Sequence, residues 1–358
     1  MKRIWIQRIG AAVLCAVLLA GCLPSTPAAD STASADPLTG QEQQYPGQRP
    51  AAVVIDNAPG TATQWGIGSA SVVLEAVTRT DTDPSLCLVY PSIEAMPTVG
   101  PVTLGQDLFW RLLSGQQVLP VQRGCDRYTR NYLDYEGLRA VDALEVGRNA
   151  FTSGNGSWVS PMWCTSGQAV ESVLGSLNLT SALSEASSSS AAAEEGETPT
   201  VPALLPQRIG DHLPDADAAE AVQASVQFPS GSVTRFAYDA DTGTYGMQHS
   251  DGTPQLDANT GTQAAFDNLL VLYSASALRD DGSTLDYDLT MGGGLWLNDG
   301  HLWHITWTQG TDTTFAFYDS DGRMLTLQSG RSYIAWLSSL TGEEVTVQDA
   351  AGTDLLTP

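Results

Sequence analysis

Two different patterns of apolar residues follow one another along this chain. In its first half, short apolar runs predict buried strands at Ala51–Ile55, Ser85–Ser92 and Gln116–Gly124. Apolar positions three or four residues apart predict helices over the segments 68–79, 104–115 and 166–178. Strands that alternate with helices are typical of an α/β layer arrangement, which we place at residues 45–180.

The second half alternates apolar and polar residues with a period of two. Turn sequences such as Asn298-Asp299-Gly300 and Asp319-Ser320-Asp321-Gly322 separate these runs and predict hairpins. A Ser-, Ala- and Glu-rich stretch at 181–207 is typical of a low-complexity spacer or loop. The pattern therefore predicts an α+β protein, with an N-terminal α/β domain followed by a C-terminal mostly β domain at 208–358.

The N-terminus predicts export and lipid attachment. Lys2, Arg3 and Arg8 surround the start of an apolar run that ends in Leu19-Ala20-Gly21-Cys22, which is similar to a bacterial lipoprotein signal. We expect cleavage of residues 1–21 and acylation of Cys22 by palmitate-like chains, which anchor the protein to the extracytoplasmic face of the cell membrane. An ordinary signal peptide with an incidental Cys is the alternative. The Pro-, Ser- and Thr-rich segment 22–44 would be a disordered tether.

The charge balance excludes one class of partner. The chain has 40 Asp and Glu against 16 Lys and Arg, a formal charge of -24, and its one lysine lies in the predicted signal. Such a surface repels nucleic acid and anionic lipid headgroups, so we expect no nucleic-acid partner. Solubility of an exported protein is a sufficient reason for this acidity.

Familiar catalytic and cofactor motifs are missing from the sequence. It contains no phosphate loop, no GxSxG elbow, no HExxH and no dinucleotide fingerprint. His301 and His304 are three apart in a strand-like run, which places them on opposite faces. Asp-rich turns lack the distal Glu of a calcium loop. We therefore expect no cofactor and no metal site.

The cysteines leave their pairing open. Cys87, Cys125 and Cys164 remain after the signal and the lipid site are set aside, and their spacing fits neither a zinc knuckle nor a redox pair. One disulfide with one free thiol is possible, but we favour a small buried thiol for at least one of them.

The best polar constellation in the first half consists of Asp56, Asn57, Glu75 and Arg79. Asp56 follows a buried strand, and open α/β sheets bind ligands beyond the carboxyl ends of their strands. Glu75 and Arg79 are four residues apart, so on the predicted helix they would share a face. A binding site and a plain helix ion pair beside a turn Asp explain this pattern equally well.

The segment Val99–Trp110 resembles a ligand-binding turn but has an alternative explanation. Thr103 and Gln106 fit a capping box, with Leu104, Leu108 and Leu112 on one stripe of the helix that follows. We interpret it as a helix start that needs no ligand.

Several segments together resemble the YerB-like lipoproteins, a two-domain family of unknown function. The resemblance lies in segments 49–59, 70–79, 99–102, 120–124, 289–307 and 317–334, which span both halves. It implies an extracytoplasmic lipoprotein and supplies no established reaction.

This chain departs from the pattern of those relatives at cationic positions. The resemblance implies Arg or His where this chain has Thr103, Gln106, Gln122, Met247 and Gln255, and a Pro-His-Asn turn at 161–163. We interpret the relatives as holding an anion in a cleft at the domain junction, because Arg and His form charge-assisted hydrogen bonds. Here Asp56, Glu75 and Asp257 remain, so the cleft would repel an anion.

Three functions follow as hypotheses. The first is a non-catalytic binding or scaffolding protein of the cell envelope, whose ligand is a neutral glycan or an envelope protein. Exposed tryptophans could stack on sugars, with Trp158, Trp163, Trp296 and Trp303 as candidates. A core position is the alternative for each of them and is favoured for Trp296 and Trp307. The alternative is a divergent cell-wall or glycan hydrolase with Asp56 and Glu75 as paired carboxylates. The weakest is thiol chemistry at Cys125, beside Arg123, Arg127 and Arg130.

Overall fold

The computed structural model describes residues 34–58, 64–80, 82–153, 162–184, 198–209, 218–338 and 340–356. Cys22, the predicted signal and Trp158 lie outside these ranges. None of the helices in the described ranges has the length and apolar character needed to cross a membrane.

Strands dominate the described chain, and four short α-helices lie in its first half. The helices are α1 (Asp107–Leu112), α2 (Arg127–Glu136), α3 (Ala143–Val146) and α4 (Gly167–Leu174). The strands are β1 (Ala51–Asp56), β2 (Val72–Ala76), β3 (Ser85–Tyr90), β4 (Leu119–Gln122), β5 (Val141–Asp142), β6 (Thr152–Ser153), β7 (Trp163–Cys164), β8 (Gln207–Arg208), β9 (Ala219–Glu220), β10 (Gln223–Gln227), β11 (Val233–Asp239), β12 (Thr244–Gln248), β13 (Ala265–Phe266), β14 (Asn268–Leu278), β15 (Leu285–Asn298), β16 (His301–Gln309), β17 (Phe315–Tyr318), β18 (Met324–Leu325), β19 (Leu327–Gln328), β20 (Ser332–Ser338) and β21 (Glu344–Gln348).

One long sheet contains strands from both halves of the sequence. Its order is β18-β17-β16-β15-β14-β20-β2-β3-β1-β4-β5, with β9 paired to β16. The two halves of the sequence meet at β20, which pairs in parallel with β14 on one side and with β2 on the other. Every residue of β20 is buried, and the strand lies at the middle of the long sheet.

Apolar side chains cover both faces of the long sheet. One face packs against α4 and a second sheet of order β13-β12-β11-β10-β21, and the other packs against α1. The ring centroids of Phe236 on β11 and Tyr333 on β20 lie 4.6 Å apart across the first interface. The mixed α+β class predicted from the sequence is confirmed.

The helix predicted over 68–79 is wrong. Val72–Ala76 is strand β2, which is buried along its whole length between β3 and β20. A strand that is covered on both faces carries apolar residues on both, so its sequence lacks the alternation that marks a half-exposed strand. Glu75 and Arg79 therefore share no helix face.

The capping box predicted at Thr103 is also wrong. Helix α1 begins after Gln106, whose side chain makes no capping bond, and the Asp107 N–H donates to the Thr129 hydroxyl at 3.0 Å. The Gln106 side chain instead donates to the Ser85 hydroxyl at 3.0 Å, and Leu104 is half-exposed outside the helix. Leu108 and Leu112 are buried as predicted.

Other local predictions are confirmed. Strands lie at the three apolar runs of the first half, and α4 occupies most of the predicted segment 166–178. Asp299 and Gly300 both have positive φ in the β15–β16 turn, the backbone that Asp-Gly favours. Cys87, Cys125 and Cys164 are free thiols, so the possible disulfide is absent.

Candidate functional site

A cleft of about 350 Å³ lies between the end of β1 and the turns at one end of the β11–β12 hairpin. Asn57 and Ala58 form one wall. Residues 231–234 form a second wall, and residues 247–251 with Thr253 and Gln255 complete it. Both halves of the sequence therefore contribute side chains to this cleft.

Glu75 lies directly beneath the cleft and has no exposed surface. Its Oε1 accepts from Asn57 Nδ2 at 2.6 Å and from Thr234 Oγ1 at 3.0 Å, and both donors belong to lining residues. Its Oε2 accepts from the Tyr333 hydroxyl. Three elements, the β1 end, β11 and β20, therefore converge on one carboxylate.

A chain of amides extends this network along the cleft. Gln64 Nε2 donates to Asn57 Oδ1 at 2.9 Å and to the Asp56 carbonyl at 2.8 Å. Gln255 Nε2 donates to Gln64 Oε1 at 2.7 Å. Because both Asn57 ends are engaged, its amide orientation is fixed, with the NH₂ toward Glu75.

Burial raises the pKa of Glu75 to about 7, and the hydrogen bonds from Tyr333, Thr234 and Asn57 oppose that rise. Desolvation disfavours the charged carboxylate, whereas donors stabilise it. Both protonation states of Glu75 are therefore populated near neutral pH.

The mouth of the cleft carries the other titratable side chains, His249 and Asp251. Hydrogen bonds from Thr253 lower the pKa of the exposed Asp251 carboxyl. Ser232 donates to Asp83 Oδ1 at 2.7 Å at the same end. Among the described lining residues there is no Arg or Lys.

Asp56 lies apart from Glu75 on the other face of the sheet. In the register of β1, β3 and β2, Asp56 aligns with Ser85 and Ala76, whereas Glu75 aligns with Leu86 and Ile55. Neighbours across a sheet share a face, and successive residues alternate between faces. The two carboxylates therefore do not form the pair that the hydrolase hypothesis needs.

Arg79 and Asp257 both connect the two halves of the chain. Arg79 Nη1 lies 3.5 Å from Asp281 Oδ2. Asp257 is fully buried, and its carboxylate accepts from the backbone N–H groups of Gly66, Gly68 and Asn259. A carboxylate with these partners holds a loop in place and is not available to a ligand.

The resemblance implies Arg or His in the relatives at several positions, and in this chain those positions do not all lie in one cleft. Met247 and Gln255 line it, whereas Gln106 bonds to Ser85, and Gln122 Nε2 bonds to Asp142 at 3.0 Å. Arg331 donates its guanidinium hydrogens to the carbonyls of Ile67, Ala70 and Ala265. That guanidinium supports backbone and does not point into the cleft.

The structure supports neither sugar-stacking by Trp296 and Trp303 nor an activated thiol at Cys125. Trp296 and Trp303 are buried and stack with centroids 4.5 Å apart, and Arg123 lies over the Trp163 ring. Partial burial raises the pKa of Cys125, and the lowering effect of Arg130 is smaller. The thiol is therefore not activated.

Sequence reasoning missed Gln64, Thr234 and Tyr333. Gln64 and Thr234 come from segments with no motif, and Tyr333 lies in the resembling segment 317–334 but was not singled out there. Thr234 and Tyr333 are 159 and 258 residues from Glu75. Only the pairing of β2 with β20 and the packing of β11 above it bring them together. Within the described ranges, His, Cys, Asp and Glu form no group of three that could hold a metal ion.

This arrangement defines a mixed α+β protein that builds a polar cleft from both halves of its chain. Residues 38–177 match the N-terminal domain, and residues 224–334 the C-terminal domain, of a protein of unknown function, DUF3048. The chain belongs to this two-domain family.

Two comparisons with a Bacillus subtilis protein agree with that assignment. The chain is 25% identical over 307 residues to the "Putative lipoprotein YerB" of strain 168, which covers 83% of this chain and 84% of that protein. The crystal structure of YerB from Bacillus subtilis matches with a TM-score of 0.70 and 20% identity, over 87% of this chain and 99% of that one. The resemblance predicted from the sequence is confirmed, and the second match supports the fold.

Proposed function

We propose that this chain is a lipid-anchored protein of the extracytoplasmic face that binds a neutral glycan, without catalysis, in the cleft beside Asn57. The lipoprotein name of its Bacillus relative and the signal-like sequence before Cys22 support the anchor. The cleft beside Asn57 supports the binding role.

The chemistry of the lining is the observation that carries this proposal. Asn57, Ser232, Thr234, Gln248 and Gln255 supply amides and hydroxyls, and Met247 supplies apolar surface. Such groups hydrogen-bond to sugar hydroxyls and N-acetyl groups without requiring charge. An anionic ligand would meet Asp251 at the mouth and Glu75 below, with no Arg or Lys in the described lining to balance them.

Binding is favoured over hydrolysis by the placement of the carboxylates. A glycosidase needs two carboxyl groups that flank the scissile bond. Glu75 has no exposed atom and both its oxygens accept hydrogen bonds, while Asp56 lies on the opposite face of the sheet.

Calorimetric titration of the full-length chain in detergent micelles tests the ligand class. The probe is the tetramer of N-acetylglucosamine, an uncharged glycan. Asn57→Ala removes one donor and disturbs the Glu75 network, so we expect the affinity to fall about fivefold to tenfold. Asn149→Ala, at an exposed position away from the cleft, should bind like the wild type. No binding by the wild type, or equal affinities for the two variants, would contradict the proposal.

A further inference from the structure

Two hydroxyl groups donate to the Glu75 carboxyl, and one of them belongs to a residue that lines the cleft. Tyr333 donates to Glu75 Oε2, and Thr234 donates to Oε1. Thr234 lines the cleft, whereas Glu75 and Tyr333 are fully buried. Of these two donors, Thr234 is therefore the one that can contact a ligand.

Each protonation state of Glu75 sets a different direction of hydrogen bonds. When Glu75 is ionised, Tyr333 and Thr234 both donate to it, and the lone pairs of the Thr234 oxygen remain free toward the cleft. When Glu75 is protonated, Oε2–H donates to Tyr333, and Thr234 donates to an uncharged Oε1. The hydrogen bond that polarises the Thr234 hydroxyl is then weaker, so its oxygen is a poorer acceptor for a ligand.

We propose that Glu75 is a positioning residue of the cleft, whose ionisation strengthens glycan binding through the Thr234 hydroxyl and the Asn57 amide. This inference rests on the proposed glycan-binding function. A sugar hydroxyl that donates to Thr234 finds a better acceptor above the ionised carboxylate, so affinity rises with pH. Burial that raises the pKa of Glu75 to about 7 puts this change in the neutral range.

The groups that face Glu75 leave few other sources for such a change. Its register partners on β3 and β20 are Leu86 and Ala335, and the titratable group of β20 that contacts it is Tyr333. Thr234 faces it from β11, and Asn57 from the end of β1. The remaining charged groups, His249, Asp251 and the Ser232-bound Asp83, lie at the mouth of the cleft.

The test measures the affinity for the N-acetylglucosamine tetramer between pH 5.5 and 8.5. The probe has no titratable group, so any change with pH comes from the protein. For the wild type we expect affinity to rise about fivefold through neutral pH, at the lower end of typical couplings between sites. Glu75→Gln imitates the protonated acid and should stay at the low-pH affinity throughout. His249→Gln should keep the rise, whatever its absolute affinity.

A second measurement needs no ligand and uses the wild-type chain, so it can be made even where Glu75→Gln folds poorly. In NMR spectra of the wild-type chain, the Asn57 side-chain amide signal should titrate together with the Glu75 carboxyl carbon. Tyr333→Phe removes a donor to the ionised form, so it should move that midpoint to higher pH.

The outcomes separate this inference from the function on which it rests. Binding that does not change with pH, or a rise that Glu75→Gln retains, overturns the inference and leaves glycan binding standing. If the rise of affinity with pH is lost in His249→Gln alone, the pH effect belongs to the mouth of the cleft, and the inference about Glu75 is also overturned. Absence of binding at every pH overturns both proposals.

Discussion

At the scale of single residues, Glu75 shows how burial and hydrogen bonding oppose each other. Full burial disfavours its charge, and three donors stabilise it, so its pKa is raised to about 7 and no further. From the sequence alone, Glu75 is a binding candidate on a predicted helix face shared with Arg79, whereas the structure places it on a strand among three donors. Its partners could not be predicted, because Thr234 and Tyr333 carry no local signal.

Glu75 should make stability fall as pH rises. Its folded pKa lies above its ordinary value of 4.5, so between these values the folded state binds more protons than the unfolded state. Its contribution is complete below about pH 4.5 and is lost as pH rises through about 7. Urea unfolding measures the free energy of unfolding of the wild type and of Glu75→Gln. Between pH 5 and pH 8, the wild-type value should fall by about 3 kcal/mol relative to that of Glu75→Gln.

The control for that measurement is Glu171→Gln, an exposed carboxylate on α4. The difference in free energy of unfolding between Glu171→Gln and the wild type should stay nearly constant from pH 5 to pH 8. A wild-type to Glu75→Gln difference that also stays constant would contradict a buried carboxyl that titrates near neutrality.

At the scale of elements, exposure decides which sequence patterns can be interpreted. The β15–β16 hairpin was predictable because its Asp-Gly turn dictates the local backbone. Strand β2 was mistaken for a helix because both of its faces are covered, which removes the period-two signal. Its identity depends on β20, more than 250 residues later, and no local window contains that information.

Two glycines at the ends of α4 should respond in opposite ways to the same substitution. A Cβ on Gly167 would lie 1.7 Å from the Ile93 carbonyl oxygen, so Gly167→Ala should cost about 3 kcal/mol through forced backbone movement. Gly175 has αR backbone and no neighbour within 4 Å of its Cβ position. Gly175→Ala should be about 0.5–1 kcal/mol more stable than the wild type.

Chemical denaturation of both variants checks this pair. Equal stabilities for the two would mean that α4 does not pack against the Ile93–Met96 turn as the structure places it.

At the scale of the whole molecule, one sheet unites the regions that match the N-terminal and C-terminal domains of one family. The sequence predicted the mixed class and the change of pattern between the halves, because both follow from local periodicity. It could not predict that β20 of the second half would pair with β2 of the first, since register between distant strands depends on the complete core. That pairing brings Tyr333 of β20 into contact with Glu75 of β2.

Membrane attachment should depend on one cysteine. Growth of cells that express the full chain with an alkyne-modified palmitate should label the wild type and Cys15→Ala, but not Cys22→Ala. Cys15 lies inside the apolar run of the predicted signal, so it is a matched control. Without several acyl chains the protein has little membrane affinity, so Cys22→Ala should also leave the membrane fraction. Label that persists in Cys22→Ala would exclude Cys22 as the lipid site.

The most direct test of the account is a crystal structure of the protein with the N-acetylglucosamine tetramer at saturating concentration. We expect sugar density in the cleft, with hydroxyl or acetamido groups within hydrogen-bonding distance of Asn57 and Thr234. Sugar bound at another surface, with the cleft beside Asn57 vacant, would contradict the central claim.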